Sequence, residues 1–222
     1  MAKDLAIILN NGGVNSAVAT ALAVQRFRPV LVYAELAPGG TPAAKSAYDQ
    51  QVAYFKPFRE HTLAMPFFSP RDAAAPAAAA QGAVDPRVKA PLGPQVVQLL
   101  PLVAAAVRFA ADYQAAAVYL GLRVGTRGDE LAQATEYVQV WNELVQMPCA
   151  LGELEVVTPL LELEPWQVVD LGYQVGAPLE RTWSCEGDGP EPCWACRGCR
   201  TRDAAFQQAA KPDPLRGAKV GR

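Results

Sequence analysis

Cys185, Cys193, Cys196 and Cys199 are the densest metal-ligating chemistry in the chain: four of its five cysteines within fifteen residues, spaced C-x7-C-x2-C-x2-C. The overlapping C-x2-C units make short chelate loops, and Gly187, Gly189, Pro190 and Pro192 let the chain double back between the first two ligands. Four thiolates gathered this way suit a tetrahedral ion, with zinc as the leading candidate. Packed thiolates repel one another, so an ion that neutralises them contributes folding energy directly. An iron–sulfur cluster fits the same ligand type, because spacing alone does not determine the metal. Disulfides fit poorly without a secretory signal, and none is expected here. With sulfur at all four positions the site is closed and is expected to hold structure rather than to catalyse.

A second candidate lies near the N-terminus. The apolar run 5–9, LAIIL, reads as a strand buried on both faces, and it leads through Asn10 into Asn11-Gly12-Gly13-Val14-Asn15-Ser16 and then a helix. Two glycines allow close backbone approach, and the free amides of a helix N-terminus attract anions, so Asn11, Gly12, Gly13, Asn15 and Ser16 outline a phosphate cradle. The pattern fits neither the Walker motif nor G-x-G-x-x-G. A glycine pair after a strand is also an ordinary tight turn, and the residues by themselves leave both readings open. No catalytic residue is assignable from the pattern.

The elements that must position these residues alternate along the chain. Strands are expected at 5–9, 29–34, 61–65, 116–121 and 155–157, and helices at 16–27, 42–54, 95–113, 129–146, 165–173 and 200–210. Pro101 is expected to kink the helix over 95–113 or to begin it, and Pro165 to sit in a first turn. Leu131, Ala134, Val138, Trp141 and Val145 share one side of the 129–146 helix, and Thr126 with Asp129 resembles a capping box. The rhythm predicts right-handed βαβ units and an α/β fold with a five-stranded parallel sheet flanked by helices. Residues 66–94 interrupt it with alanine runs and recurrent prolines, as an insertion over the surface or a lid. Cys149, apart from the other four, reads as a small buried apolar group. The expected organisation is an α/β domain over 1–178 and a metal-binding helical segment over 179–222.

Composition narrows the function classes. The chain has 222 residues, of which 51% are hydrophobic, enough for a substantial core. A formal net charge of −2 gives no electrostatic footprint for nucleic acid, and Arg197, Arg200 and Arg202 form only a local cluster of the kind usual on a solvated face. No apolar run reaches membrane-spanning length, and the expected location is the cytoplasm.

The cysteine stretch, preceded by Thr182-Trp183-Ser184 and followed by Arg202, Phe206 and Asp213-Pro214, resembles the C-terminus of the 7-cyano-7-deazaguanine synthases of the PP-loop ATP pyrophosphatase superfamily. Val157-Thr158-Pro159-Leu160 and Gly176-Ala177-Pro178 sit where that family carries similar pieces. The first-strand loop lies where the family has its S-G-G-x-D-S pyrophosphate loop. The resemblance implies a five-stranded, Rossmann-like sheet of the adenine-nucleotide hydrolase-like type with a C-terminal four-cysteine zinc motif. It implies ATP and magnesium as further cofactors, a small-molecule deazapurine ligand and a homodimer, while charge and hydropathy lead to the expectation of no direct contact with nucleic acid or membrane. In that family ATP adenylates a carboxylated deazaguanine, ammonia makes the amide, and a second activation dehydrates it to the nitrile of the queuosine pathway.

Several positions depart from the family pattern. Asn11 stands for the first serine of the loop and Asn15 for its aspartate, while Gly12, Gly13 and Ser16 match. A family G-R-N segment is replaced by Gly93-Pro94-Gln95, and a lysine that opens the later helix is replaced near Glu164-Pro165. Asn15 lacks the charge an aspartate offers magnesium, and Pro94 offers neither charge nor backbone donor. Two functions follow from the resemblance. One is an ATP-dependent ligase with impaired ATP chemistry and a degenerate loop; the other is a diverged paralogue that binds or regulates without turnover.

Overall fold

The structure, a computed structural model, describes residues 4–36, 42–65, 92–126, 128–146, 154–187 and 189–217. The expectations for 66–91 and for Cys149 lie outside the described residues. Strands β1 (Leu5–Leu9), β2 (Arg28–Leu36), β3 (Arg59–Met65), β4 (Ala117–Leu120) and β5 (Glu155–Val157) form one parallel sheet in the order β3-β2-β1-β4-β5. Helices α1 (Val14–Arg26), α2 (Pro42–Phe55), α3 (Leu92–Tyr113), α4 (Gly128–Gln146), α5 (Pro165–Gln174), α6 (Arg197–Gln208) and α7 (Pro214–Gly217) surround and extend it.

The continuous apolar runs are explained by the two packed faces. Successive strand side chains point to opposite sides. Ile7, Val30, Val32, Val118 and Leu120 therefore pack with Val103, Ala106 and Ala110 of α3 and Ala134, Trp141 and Val145 of α4. Ala6, Ile8, Leu31, Tyr33 and Tyr119 pack on the other side with Ala23 of α1 and Tyr48 of α2. Neither face of the central strands meets water, so alternation with polar residues is absent.

Several element boundaries differ from those expected. Helix α1 starts at Val14, inside the expected loop. Helix α3 starts at Leu92 rather than 95, so Pro94 falls in a first turn, where a missing N–H is harmless, and Pro101 lies within the helix. No hydrogen bond joins Thr126 to Asp129 in the expected capping box among the described residues: the helix starts at Gly128, and the Thr126 amide and hydroxyl both donate to Glu164 Oε1, at 3.0 Å each. Glu164 instead forms the box of α5 with Gln167. The last long helix runs over Arg197–Gln208, three residues earlier than the expected 200–210 at its start.

The segment after α5 returns across α1. Leu179, Ala205 and Phe206 join Val18, Leu160, Val168 and Val169 in a third apolar cluster. Above it Arg202 is buried and fully engaged. Its Nε and Nη2 donate to Asp213 at 2.7 and 2.9 Å, Nη1 to the Thr182 hydroxyl at 2.7 Å, and Nη2 also to the Leu179 carbonyl at 3.2 Å. The residues that carried the resemblance at this end thus lock α6 and Asp213 to the approach of the cysteine segment. Removing one member strands a buried charge, so Asp213→Ala is expected to destabilise the protein by about 3–5 kcal/mol, read by chemical denaturation.

Candidate nucleotide cleft and metal centre

The loop after β1 is built from the backbone outward. Gly12 adopts φ +79°, and a Cβ there would lie 2.4 Å from the Ala44 carbonyl oxygen of α2. Glycine is required by both the conformation and the contact. Asn10, 2% exposed, accepts from the Gly12 amide through Oδ1 at 2.8 Å and donates through Nδ2 to Thr20 and to Gln51. The Gly12 carbonyl accepts from Gln51 Nε2 at 3.0 Å and from the Trp183 amide at 2.9 Å.

The side chain of Asn11 folds back into the loop. Its Oδ1 accepts from the Gly13 amide at 2.9 Å and from the Ser16 hydroxyl at 2.8 Å. Two donors of the expected cradle are therefore held by the loop's own carboxamide. Gly13 is the N-cap of α1 and brings no side-chain acceptor, and the first turn contains no acidic residue. This leaves the positive end of the helix uncompensated by a carboxylate.

The loop borders a cleft of about 650 Å³ in which Asn11, Gly13, Asn15 and Ser16 face Gly121 and Arg123, with Glu186 and Arg197 at the C-terminal side. Of the five sequence-predicted loop residues, only Gly12 does not line it. The cleft lies at the carboxyl end of β1 and β4, where the strand order reverses, as ligand sites in open α/β sheets do. Gly121 permits that geometry, since a Cβ on it would come 2.9 Å from the Ser16 amide nitrogen. Burial pulls the Arg123 guanidinium below its ordinary pKa, opposed by the carboxylate of Glu164. Asn10, Gln51 and Arg123 were missed from the sequence. Arg123 had a usable signal, its place just past the end of a strand at the switch point; Gln51 had none.

The four cysteines converge as expected. Their Sγ atoms all lie within 4.8 Å of one another, with Cys193–Cys199 and Cys185–Cys196 at 4.0 Å. A tetrahedron of sulfurs at ~2.3 Å from one ion has edges of about 3.8 Å. The separations therefore fit a single ion and are too long for disulfides. A multi-iron cluster, with each sulfur on a different iron, would hold them further apart. Backbone amides of Glu186, Gly187, Cys193, Cys196 and Cys199 donate to the sulfurs at 3.3–3.4 Å, as thiolates require. Amides of Ala195 and Cys196 bring the exposed Cys193 thiol down to about 6, whereas burial pushes Cys199 up. A bound cation removes that conflict by favouring the thiolate at every position.

Glycine is again decisive at Gly198, whose added Cβ would fall 1.9 Å from the Ser184 carbonyl oxygen. Gly198 also donates its amide to Glu186 at 3.1 Å, closing the segment on itself. Gly198→Ala and Cys196→Ala are each expected to lower metal content well below one ion per chain and to reduce Tm. Elemental analysis and thermal melts of the purified variants check this.

Comparison with known proteins agrees with the geometry. The family described as "Queuosine biosynthesis protein QueC" matches residues 98–210. A 7-cyano-7-deazaguanine synthase of Thermosynechococcus vestitus is 32% identical over 114 residues, 50% of this chain and 49% of that protein. One of Koribacter versatilis is 33% identical over 114 residues, 51% of this chain and 48% of that protein. The chain spans about half the length of the curated relatives it matches. Among solved structures, a 4-thiouridine synthetase in complex with RNA and bound ATP covers 99% of this chain and 54% of its own, at TM-score 0.53 and 17% identity, a likeness of fold. The family match begins within α3 and passes through β4, β5 and all four clustered cysteines into the turn after α6, and the chain belongs to the QueC family of queuosine biosynthesis proteins.

Proposed function

We propose that the cleft is the nucleotide site of a 7-cyano-7-deazaguanine synthase-like protein, by descent an ATP-dependent ligase that converts a carboxylated deazaguanine and ammonia to the nitrile base. The family supports the reaction class, and the position of the cleft at the switch point supports the nucleotide. Asn11, Gly12, Gly13, Asn15 and Ser16 form the phosphate loop in this reading, with Arg123 as a cation facing it. The remaining space takes the deazapurine. Magnesium arrives with ATP, and Asn15 meets it with a neutral carbonyl oxygen rather than a carboxylate. The ion at the cysteines is zinc, which at a closed four-sulfur site supplies folding energy and no chemistry. No membrane partner is part of this reading, and no helix among the described residues is long and apolar enough to cross one.

The same loop argues that turnover is slow, and one observation carries this: Asn11 Oδ1 already occupies the Gly13 amide and the Ser16 hydroxyl. An incoming phosphate must displace it to use those donors. Asn15 adds no charge to balance the metal, and hydrogen bonds to ionised groups are roughly twice as strong as neutral ones. A paralogue that binds a deazapurine without turning over ATP is the second reading that this self-contact favours.

Calorimetry of ATP with magnesium, followed by incubation with ammonia and the carboxylated deazaguanine, separates the two readings. The unaltered chain is expected to bind ATP weakly and to form nitrile far more slowly than ~1 per second. Asn11→Ser combined with Asn15→Asp is expected to raise magnesium-dependent ATP affinity by about tenfold or more, roughly 1.4 kcal/mol. Nitrile formation by the unaltered chain at ordinary enzymatic rates would overturn the slow-turnover reading. ATP binding with no nitrile under any condition would favour the paralogue.

A further inference from the structure

Helix α2 buries Ala47, Tyr48 and Gln51, one stripe at helical spacing. An apolar residue of the same size would complete that stripe, yet the position holds a carboxamide that is 0% exposed. Its polar atoms explain the choice. Nε2 donates to the Gly12 carbonyl at 3.0 Å and to the Arg181 carbonyl at 2.9 Å, and Oε1 accepts from Asn10 Nδ2 at 2.9 Å. One side chain therefore joins the loop after β1, the residue that opens that loop, and the 3-10 turn Leu179–Arg181 that leads toward the cysteines.

The Gly12 peptide is gripped at both ends by this network. Asn10 Oδ1 accepts from its N–H, and the same oxygen lies 3.2 Å from the Ser16 hydroxyl, whose one proton is nearer Asn11 Oδ1 at 2.8 Å. Thr20, also 0% exposed, donates to the Ser16 carbonyl at 2.7 Å and accepts from Asn10. No buried side-chain polar atom among the described residues lacks a partner. A buried polar network that is fully satisfied is rigid, whereas one with a member removed leaves donors and acceptors unpaired in a low-dielectric setting.

We propose that Gln51 is a positioning residue of the cleft: its carboxamide sets the Gly12 peptide, and through it the donors of residues 13–16, at a fixed height relative to the segment that carries the cysteines. It touches no ligand itself and does not line the cleft. This inference rests on reading the cleft as a phosphate site, but its first test does not.

The test compares Gln51→Met, which keeps bulk and removes the polar atoms, with Val145→Ala. The latter is a buried change in α4 chosen to match the loss of Tm at a position outside the network. Hydrogen–deuterium exchange over residues 10–17 is measured without ligand on both metal-loaded proteins. Exchange there is expected to quicken by about tenfold or more in Gln51→Met and to stay unchanged in the control, since the variant loses all three hydrogen bonds of the carboxamide and a single buried one is worth about tenfold. Calorimetry with inorganic pyrophosphate is expected to show affinity falling by about tenfold in Gln51→Met only. Loop exchange no faster than in the stability-matched control overturns the role of Gln51. Failure of the unaltered protein to bind pyrophosphate or ATP overturns the nucleotide reading instead, with exchange still deciding the positioning role. If Gln51→Met does not fold, Gln51→Asn carries the same comparison, since it keeps the amide but withdraws it by one methylene.

Discussion

The Gly12 peptide is the point at which three parts of the chain meet. Its Cα faces the Ala44 carbonyl of α2 so closely that no side chain fits. Its N–H is held by Asn10, and its carbonyl by Gln51 and the Trp183 amide. The loop after β1, the second helix and the run toward the cysteines cannot shift independently while those contacts hold. Rigid placement of backbone donors is what an anion site needs, because donors that must reorganise on binding lose part of their advantage.

The far end of the molecule is closed by a different kind of force. Four sulfurs within 4.8 Å repel as thiolates and need a cation between them. Backbone amides aimed at the sulfurs partly offset that repulsion before any ion arrives. Beside them the buried Arg202–Asp213 pair ties α6 and the residues after it to Thr182 and Leu179. The metal segment is thus anchored on the same few residues, 179–184, that also reach the Gly12 loop. Structure at the cysteines and structure at the cleft share a mechanical base.

Charge in the cleft is distributed unlike the expectation drawn from the family loop. The loop itself contributes two asparagines and no carboxylate, and one of them caps the loop from within. Positive charge comes from elsewhere, from Arg123 beyond β4 and Arg197 at the start of α6. An anion entering this space meets the N-terminus of α1 and two guanidinium groups. A divalent cation would meet Glu186 as a carboxylate lining the same cleft.

Much of this was legible in residue order. Continuous apolar runs such as LAIIL announce strands buried on both faces, and the 3.6-residue spacing of Leu131, Ala134, Val138, Trp141 and Val145 announces the buried side of α4. The C-x2-C repeats announce the metal centre, because chelate geometry is set by neighbours in sequence. Local signals lost where a distant partner won. Thr126 turned from its own helix to Glu164, 38 residues on, and α1 began at Val14 although Gly13, at its N-cap, offers no side-chain cap. The polar network was out of reach for the same reason. Gln51 bonds across 39 residues to Gly12 and across 130 to Arg181, and nothing in its neighbourhood marks it as other than a solvated glutamine. Hydrophobic burial and short chelation depend on periodicity and spacing, which a sequence contains. Pairing of buried polar atoms depends on which segments the sheet order brings together, and only the folded chain decides that.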